Sequence, residues 1–315
     1  MRGASSSSGE DDWEAGALGA QTLDFGFDDP EASSSKKLTG RRKKAQKKAK
    51  AGTFEAMNLS PLVLKGIRRK GFRLPTPIQR KTIPLIMQGL DIVGMARTGS
   101  GKTAAFVIPL LERLKEHSGT ASGARALILS PTRELALQTF KVVQDLGRSM
   151  NLRTAVLVGG DAIEAQFGEL ASNPDLIVAT PGRLVHMLME IKGAFNLKAV
   201  ELAVFDEADR LFEMGFAEEI NQILSGMSSA RQTLLFSATM PEKIRKFAES
   251  ALVNPIVVNV GRAGAANLDV IQEVEYVKQE ARLCTFWSVS RRPRRPCSSS
   301  ARTKVTSTTS TSICC

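Results

Sequence analysis

The sequence of 315 residues has few of the residues that build cross-linked, metal-bound or membrane-embedded proteins. Its four cysteines all lie near the end, and residues 1–283 contain none. A disulfide framework or a cysteine-based zinc site is therefore excluded from most of the chain. No apolar run approaches the roughly eighteen residues of a membrane-spanning helix, and residues 1–30 lack the apolar stretch of a secretory signal. We expect neither secretion nor a membrane association.

Acidic residues are absent from two segments that carry most of the net charge of +11. Lys36–Lys50 holds nine bases and no acids, and Cys284–Cys315 holds six bases and no acids. Met1–Ser35, by contrast, has one arginine against eight acids, which leaves +3 on residues 51–283. The basic pI therefore describes the tails, and a nucleic-acid function has to be argued from motifs.

Residues 1–50 contain too few apolar side chains to fold alone, which predicts a disordered tail that is first acidic and then basic. The basic run is open to three interpretations: a solvated linker, a nuclear or nucleolar address, or an arm that binds phosphate. Charge pattern alone does not choose among them.

From residue 91 onward, short β-branched and apolar segments alternate with longer amphipathic ones. The predicted strands are Asp91–Ala96, Ala124–Ser130, Thr154–Gly159, Asp175–Thr180, Leu202–Phe205 and Thr233–Ser237. The predicted helices are Thr103–Glu116, Arg133–Met150, Ile163–Ala171, Gly182–Glu190 and Pro241–Ala251. This alternation predicts an α/β fold whose parallel sheet is covered by helices on both faces. Ligands of such sheets bind beyond the carboxyl ends of the strands, where most motifs below fall.

A glycine-rich segment, Ala96–Thr103, follows the first predicted strand and opens the first helix. Lys102 would neutralise the β and γ phosphates of a nucleotide, and Thr103 would offer its hydroxyl to Mg²⁺. The small residues that would let backbone N–H groups close around the phosphates are Thr98, Gly99, Ser100 and Gly101. The alternative is a glycine-rich turn before an ordinary helix, which the Gly-Lys-Thr ending disfavours.

An apolar strand that ends in acids, Ala203–Asp209, lies further along the chain. Asp206 would hold Mg²⁺ at the strand end, and Glu207 would orient or deprotonate the water that attacks the γ-phosphate. Taken alone, these acids are equally typical of an exposed turn. The glycine-rich segment upstream favours the catalytic interpretation.

The residues Asp206-Glu207-Ala208-Asp209, and the order of the motifs around them, resemble the DEAD-box RNA helicases. Ala96 stands where the general phosphate-loop pattern has glycine, and that family also uses alanine there. The resemblance covers Phe54–Leu283. It implies a RecA-like P-loop domain over residues 51–262, with ATP and Mg²⁺ as cofactors, and a monomer that binds RNA.

Phe72 and Gln79, with Phe54 upstream, resemble the family's adenine-recognition motif. The resemblance implies that Gln79 reads the adenine edge through paired hydrogen bonds and that Phe72 stacks on its face. Without the resemblance, Pro75–Pro77 would be interpreted as a helix start and Phe72 as a core residue.

Three segments that follow predicted strands resemble the family's contacts to the RNA backbone. Their helix-start N–H groups, hydroxyls and guanidinium groups suit phosphate, and they offer no aromatic platform for bases. Binding is therefore expected to be independent of RNA sequence. Taken singly, each segment is better explained as a helix cap. The residues concerned are Pro131, Thr132, Arg133, Gly160, Thr180, Pro181, Gly182 and Arg183.

The segment Ser237-Ala238-Thr239 resembles the family motif that couples the nucleotide state to strand separation. The resemblance implies hydroxyl contacts to the acids of Asp206–Asp209, although a buried capping segment would look the same. His117 and His186 match no motif of the family, and we interpret both as ordinary surface or helix residues.

The resemblance points to two pathways. Up to Thr239 the sequence is similar to a nucleolar, ribosome-building branch, as in Arg97–Gly99 and Arg210–Phe216. Residues 261–278 look more like a spliceosome-associated branch. Both imply RNA processing in the nucleus with pre-ribosomal or spliceosomal proteins as partners, and the first implies the nucleolus.

Periodicity is lost after Arg282. Residues 263–282 fit a linker and the first strand of a second RecA-like domain, at Ile271–Lys278, whereas 283–315 is a low-complexity tail. When permitted codons for the tail are read from their third nucleotide, they encode a sequence with an apolar helix, a buried strand and an amphipathic helix, which looks like the family's continuation. We interpret the tail as a frameshift, which the cDNA sequence across the codons of Arg282 and Leu283 tests.

Two functions of different classes follow. In the first, the gene product is an RNA-dependent ATPase that separates short duplexes. In the second, this chain is a fragment that binds nucleotide or partners without unwinding. RNA-stimulated ATP turnover separates them, and we expect little turnover because the arginines of a second domain complete the ATP site in the family. A DNA motor is a weaker third hypothesis, since the adenine motif and Ser237-Ala238-Thr239 argue against it.

Overall fold

The computed structural model describes residues 52–119, 123–191 and 195–260, and the backbone of two short strands further on, Glu273–Tyr276 and Thr311–Cys314. The predicted tail over residues 1–50 lies outside the described residues, as do most of 263–282 and of the tail interpreted as a frameshift.

Seven parallel strands form one sheet with the spatial order β3-β4-β2-β5-β6-β1-β7. This confirms the predicted α/β fold, and each of the six predicted strands is present with its ends shifted by no more than a few residues. The strands are β1 (Ile92–Ala96), β2 (Ala126–Leu129), β3 (Thr154–Leu157), β4 (Leu176–Ala179), β5 (Leu202–Phe205), β6 (Gln232–Ser237) and β7 (Ile256–Val260).

Nine α-helices are described in this part of the chain, after a short 3-10 helix at Phe54–Met57. They are α1 (Pro61–Arg69), α2 (Pro77–Met87), α3 (Lys102–Leu114), α4 (Arg133–Gly147), α5 (Ile163–Ala171), α6 (Pro181–Glu190), α7 (Ala208–Glu213), α8 (Ala217–Ser225) and α9 (Glu242–Ala251). The five predicted helices correspond to α3, α4, α5, α6 and α9. Among the described residues, no helix has the length and apolar character needed to cross a bilayer.

Successive strand residues are buried in two different cores, because side chains alternate between the faces of a sheet. In β1, Ile92 belongs to one core and Val93 to the other. The first core also takes apolar residues from α1 to α4, and the second takes them from α5 to α9. Helices therefore cover both faces, as the sequence predicts.

The amino-terminal edge of the sheet contains a buried carboxylate, Asp175, which directly precedes β4. It accepts hydrogen bonds from Arg153 N at 3.0 Å, Ser118 N at 3.1 Å, Arg125 Nη2 at 2.9 Å and His117 Nδ1 at 2.9 Å. Burial would raise the pKa of Asp175, but these donors outweigh it and lower the pKa. His117 is thus a largely buried partner of an acid and lies between a helix and a strand, which corrects its interpretation as an ordinary surface or helix residue.

A second buried carboxylate, Asp91, directly precedes β1 at the same edge. Its two oxygens accept from Thr233 N at 2.8 Å and Val253 N at 2.7 Å. Asp91 thereby ties the start of β6 and the loop before β7 to β1.

A separate unit after residue 263 contains the remaining two strands, β8 (Glu273–Tyr276) and β9 (Thr311–Cys314). They pair antiparallel, with Glu273 opposite Cys314. A strand therefore lies within the predicted range Ile271–Lys278.

Candidate functional site

The glycine-rich loop connects β1 to α3 at the carboxyl edge of the sheet. Gly99 and Gly101 have φ angles of 78° and 90°, a left-handed conformation that favours glycine. Lys102, the first residue of α3, is buried, and its Nζ donates to Ala96 O at 2.7 Å. Burial lowers the pKa of Lys102, and three acids oppose this shift: Asp206, Asp209 and Glu207. The loop therefore closes over the Lys102 ammonium group, on which the three acids act electrostatically.

Asp206 directly follows β5, and its backbone N–H donates to Leu129 O at 2.9 Å at the end of β2. The side chain is nearly inaccessible. Burial, together with repulsion by Glu207, raises the pKa of Asp206 to about 7, although Lys102 opposes the shift. A cation at this position would favour the ionised carboxylate.

Glu207 has a φ angle of 49°, which is unusual for a residue other than glycine, asparagine or aspartate. Its side chain is 14% exposed, and Oε2 lies 3.3 Å from Arg210 Nη1. The turn between β5 and α7 therefore places this carboxylate beside Asp206, and only a small part of the Glu207 side chain is exposed. Water that reaches the site can contact it there.

Asp209 connects the acids of α7 to the end of β6. Its Oδ2 accepts from Thr239 Oγ1 at 3.0 Å, Thr239 N at 3.1 Å and Ala238 N at 3.3 Å. Ser237 Oγ accepts from Asp209 N at 3.3 Å and donates to Thr239 O at 2.7 Å. Asp209 therefore contacts both hydroxyls of this segment: its carboxylate accepts from the Thr239 hydroxyl, and its backbone N–H donates to the Ser237 hydroxyl.

Gln79 is buried in the first turn of α2 and contacts the glycine-rich loop. Its Nε2 donates to Gly101 O at 3.0 Å, and its Oε1 accepts from Thr76 N at 3.0 Å. A Cβ atom on Gly101 would lie 2.5 Å from Gln79 Nε2, so this position cannot carry a side chain without displacing the amide.

Phe72 is half-buried and lines a cavity of about 470 Å³. Phe54, Arg68 and Arg73 line the same cavity. Its volume lies in the range of sites for small molecules. Gln79 is not among its lining residues, so Gln79 contacts the glycine-rich loop whereas Phe72 lines a cavity that Gln79 does not reach.

Two buried hydroxyls near the loop, Ser100 Oγ and Thr76 Oγ1, have no hydrogen-bond partner within the described structure. Such atoms suit a polar ligand, because a buried hydroxyl is normally hydrogen-bonded. In the described ranges no group of three or more His, Cys, Asp or Glu side chains could hold a metal. Mg²⁺ at a nucleotide needs only one or two protein ligands besides phosphate and water, which Thr103 and Asp206 could supply.

The three segments implied to contact RNA converge on one loop between β3 and α5. Arg133 Nη2 lies 2.7 Å from Asp161 Oδ1, and its Nη1 donates to Gly159 O. Arg183 Nη2 donates to Asp161 O, and its Nε donates to Gln166 Oε1 at 3.0 Å. Gly160 has a φ angle of 89°, and its backbone bends between the two arginines.

Helix starts flank this loop. Thr132 caps α4 by accepting from Leu135 N at 3.3 Å, and Pro131 precedes it. Thr180 precedes α6 in extended conformation, and Pro181 and Gly182 form its first turn. The capping interpretation is therefore correct for Thr132, and it is compatible with phosphate binding because free N–H groups remain at a helix start.

Sequence reasoning missed Asp161, Gln166 and Arg210. Asp161 directly follows the glycine pair, which is a local signal that could have identified it. Gln166 is buried and joins Arg183 to Val158 O, and Arg210 pairs with Glu207. The contacts of Gln166 and Arg210 depend on turns and packing, and no sequence pattern indicates them.

A family model described as DEAD/DEAH box helicase matches residues 76–247, which is more than half of the chain. The protein therefore belongs to this family. The match contains the glycine-rich loop, the acids after β5 and the segment after β6.

The chain is also similar to individual members of the family. The chain is similar to the ATP-dependent RNA helicase DBP10 of Saccharomyces cerevisiae, with 59% identity over 213 residues, 68% of this chain and 21% of the yeast protein. It is 50% identical over 293 residues to dbp10 of Emericella nidulans, covering 90% of this chain and 31% of that protein. The chain thus spans about a fifth to a third of these relatives. A crystal structure of a DEAD box protein from the hyperthermophile Methanococcus jannaschii is similar, with a TM-score of 0.63 and 38% identity, covering 76% of this chain and 64% of that one.

Proposed function

We propose that this chain carries the ATP-binding and RNA-binding domain of an ATP-dependent RNA helicase. One observation carries the proposal. The carboxyl ends of neighbouring parallel strands bring three segments to one edge of the sheet: the glycine-rich loop, the acids after β5, and the loop between β3 and α5 that Arg133 and Arg183 contact. The similarity to the yeast protein DBP10, an ATP-dependent RNA helicase, supports it.

In the proposed ATP site, the backbone of Thr98–Gly101 and the N-terminus of α3 bind the phosphates. Lys102 exchanges its bond to Ala96 O for the β and γ phosphates, and Glu207 orients the attacking water. Mg²⁺, held by Thr103 and Asp206, would neutralise developing phosphate charge. The contact between Gln79 and Gly101 O joins base recognition to the phosphate loop.

In the proposed RNA site, Arg133, Arg183 and the helix starts after Thr132 and Thr180 bind backbone phosphates. The described loop offers guanidinium groups and amides and no stacked aromatic ring, which supports binding that ignores base sequence. Asp209 would connect the ATP site to the segment after β6, because it is bonded to Thr239 and lies two residues after Glu207 in the sequence.

For location and partners, we propose a nuclear protein of the nucleolar, ribosome-building branch that acts as a monomer with pre-ribosomal partners. The basic run at 36–50 and the similarity to the DBP10 helicases support this. A spliceosomal partner is the second candidate, which only residues 261–278 favour.

Replacing Lys102 tests the ATP site. We expect Lys102→Ala to weaken binding of a fluorescent ATP analogue at least tenfold, since a charged hydrogen bond to phosphate contributes about 1.5–3 kcal/mol. Lys65→Ala, which removes an exposed lysine from α1, is the matched control and should bind as the unaltered chain does. Unchanged ATP affinity of a folded Lys102→Ala chain would contradict the proposal.

A further inference from the structure

Asp161 occupies the centre of the proposed RNA site although it carries the same charge sign as RNA. Its carboxylate lies 2.7 Å from Arg133 Nη2, and its backbone carbonyl accepts from Arg183 Nη2. One residue therefore contacts both guanidinium groups that are proposed to bind phosphate.

The charges of this loop are balanced. Arg133 and Arg183 face Asp161, and Glu134 adds a second negative charge that also acts on Arg133. The hydrogen bond to Asp161 raises the pKa of Arg133, and the same bond lowers the pKa of Asp161, so both groups are charged at neutral pH. A site for polyanions normally has an excess of positive charge, which this loop does not have.

The pair between Arg133 and Asp161 is open to exchange. Their side chains are 37% and 45% exposed, so water and ligands reach both. An exposed ion pair contributes little to stability, and a phosphate oxygen offers a guanidinium group the same hydrogen bonds as a carboxylate.

We propose that Asp161 is an internal competitor of RNA: its carboxylate holds the Arg133 guanidinium until a backbone phosphate displaces it, and it thereby weakens RNA binding and favours release. This inference rests on the proposed RNA site and adds a residue that tunes its affinity. Asp161 acts through Arg133, so it is a positioning residue.

Binding of a fluorescent oligouridylate to the full chain between roughly 50 and 200 mM KCl tests the inference. We expect Asp161→Asn to tighten binding about fivefold at the lowest salt, the upper range for an exposed pair. The slope of log affinity against log salt should steepen by about 0.7, because RNA binding to the variant no longer leaves behind an unpaired Asp161 carboxylate that takes up a counterion. Asp161→Glu, which keeps the charge, should bind as the unaltered chain does.

Two controls separate exchange at Arg133 from a general loss of negative charge. Glu164→Gln removes a charge from the exposed first turn of α5, from a residue that is not bonded to either arginine in the described part of the chain. Its effect on affinity should be less than twofold. In an Arg133→Ala background, Asp161→Asn should lose most of its gain, since residues in contact are coupled.

Weaker binding by Asp161→Asn would overturn the inference, because it would mean that Asp161 orients Arg133 for RNA. An unchanged affinity, an equal gain from Glu164→Gln, or a full gain without Arg133 would also overturn it. Failure of the proposed RNA site gives a different result: the double variant Arg133→Ala with Arg183→Ala would then bind the oligouridylate as tightly as the unaltered chain.

Discussion

Gln79 makes two hydrogen bonds within the protein with the same amide that is proposed to recognise adenine. Its amide oxygen accepts from Thr76 N, and its amide nitrogen donates to Gly101 O. If Gln79 reads adenine as proposed, its amide has to exchange a bond within the protein for one with the base. The phosphate loop would then respond to the identity of the base.

Replacement of Gln79 by glutamate should separate these roles. An ionised carboxylate accepts from Thr76 N but cannot donate to Gly101 O or to adenine. We expect Gln79→Glu to lose the preference for ATP over GTP, measured by competition with a fluorescent nucleotide. Gln79→Ala should lose this preference and, in addition, roughly 1 kcal/mol of unfolding free energy. A Gln79→Glu chain that still prefers ATP would show that adenine is recognised elsewhere.

At the scale of elements, the packing of α1 against α4 depends on one glycine. A Cβ atom on Gly66 would lie 2.1 Å from Leu146 O, a backbone atom that cannot move alone. The two helices therefore approach more closely than any side chain at residue 66 would allow.

Alanine substitutions at two helical glycines should have opposite effects. Gly66→Ala should destabilise the chain by about 1–3 kcal/mol, because α1 has to move away from α4. Gly168→Ala in α5 should stabilise it by about 0.5–1 kcal/mol, since a Cβ atom there meets nothing within 4 Å and alanine favours a helix. Denaturant unfolding measures both, and equal signs would contradict the packing argument.

Most strands of the sheet could be predicted because the signal for a buried strand lies within its own sequence. β1, β2, β4, β5 and β6 are buried on both faces, and β3 alternates buried with partly buried residues, so their apolar and β-branched sequences indicate them. β7, which pairs with β1, was not predicted, although residues 256–258 form a buried β-branched run of the same kind. α2 was missed because Pro77 and Pro84 break the helical pattern, although Pro77 is at the favourable first position.

Some features of the candidate site could likewise be predicted from the sequence, and others could not. The glycine-rich loop and Asp206 were identified because their chemistry is local to one strand end. Two features of the site were not predicted: the contact of Gln79 with Gly101, and the convergence of two arginines on Asp161. Each joins segments that lie more than twenty residues apart in the sequence.

At the scale of the whole molecule, the amino-terminal edge of the sheet is where buried charge stabilises the fold. Asp175 receives hydrogen bonds from four residues of three segments, and no more than 3% of its side chain is exposed. Loss of this carboxylate would leave buried donors unsatisfied, Arg125 among them.

Asp175→Asn should therefore lower the free energy of unfolding by about 3 kcal/mol at neutral pH. Because the folded pKa of Asp175 is lowered, its contribution is present above the unfolded value of about 3.8 and is lost as pH falls through the folded pKa. Thermal unfolding between neutral and acid pH measures this, and the variant should lose less stability than the unaltered chain on acidification. Asp145→Asn, at a partly exposed pair with Lys70, should cost less than about 1 kcal/mol.

The two edges of the sheet have different roles in the domain. Asp91 and Asp175 anchor one rim, and the loop of Lys102 and the acids after β5 occupy the other. Changes at distant positions combine additively when they share no partners. Substitutions at the rim that Asp91 and Asp175 anchor should therefore change the stability of the domain without changing ligand binding at the opposite rim.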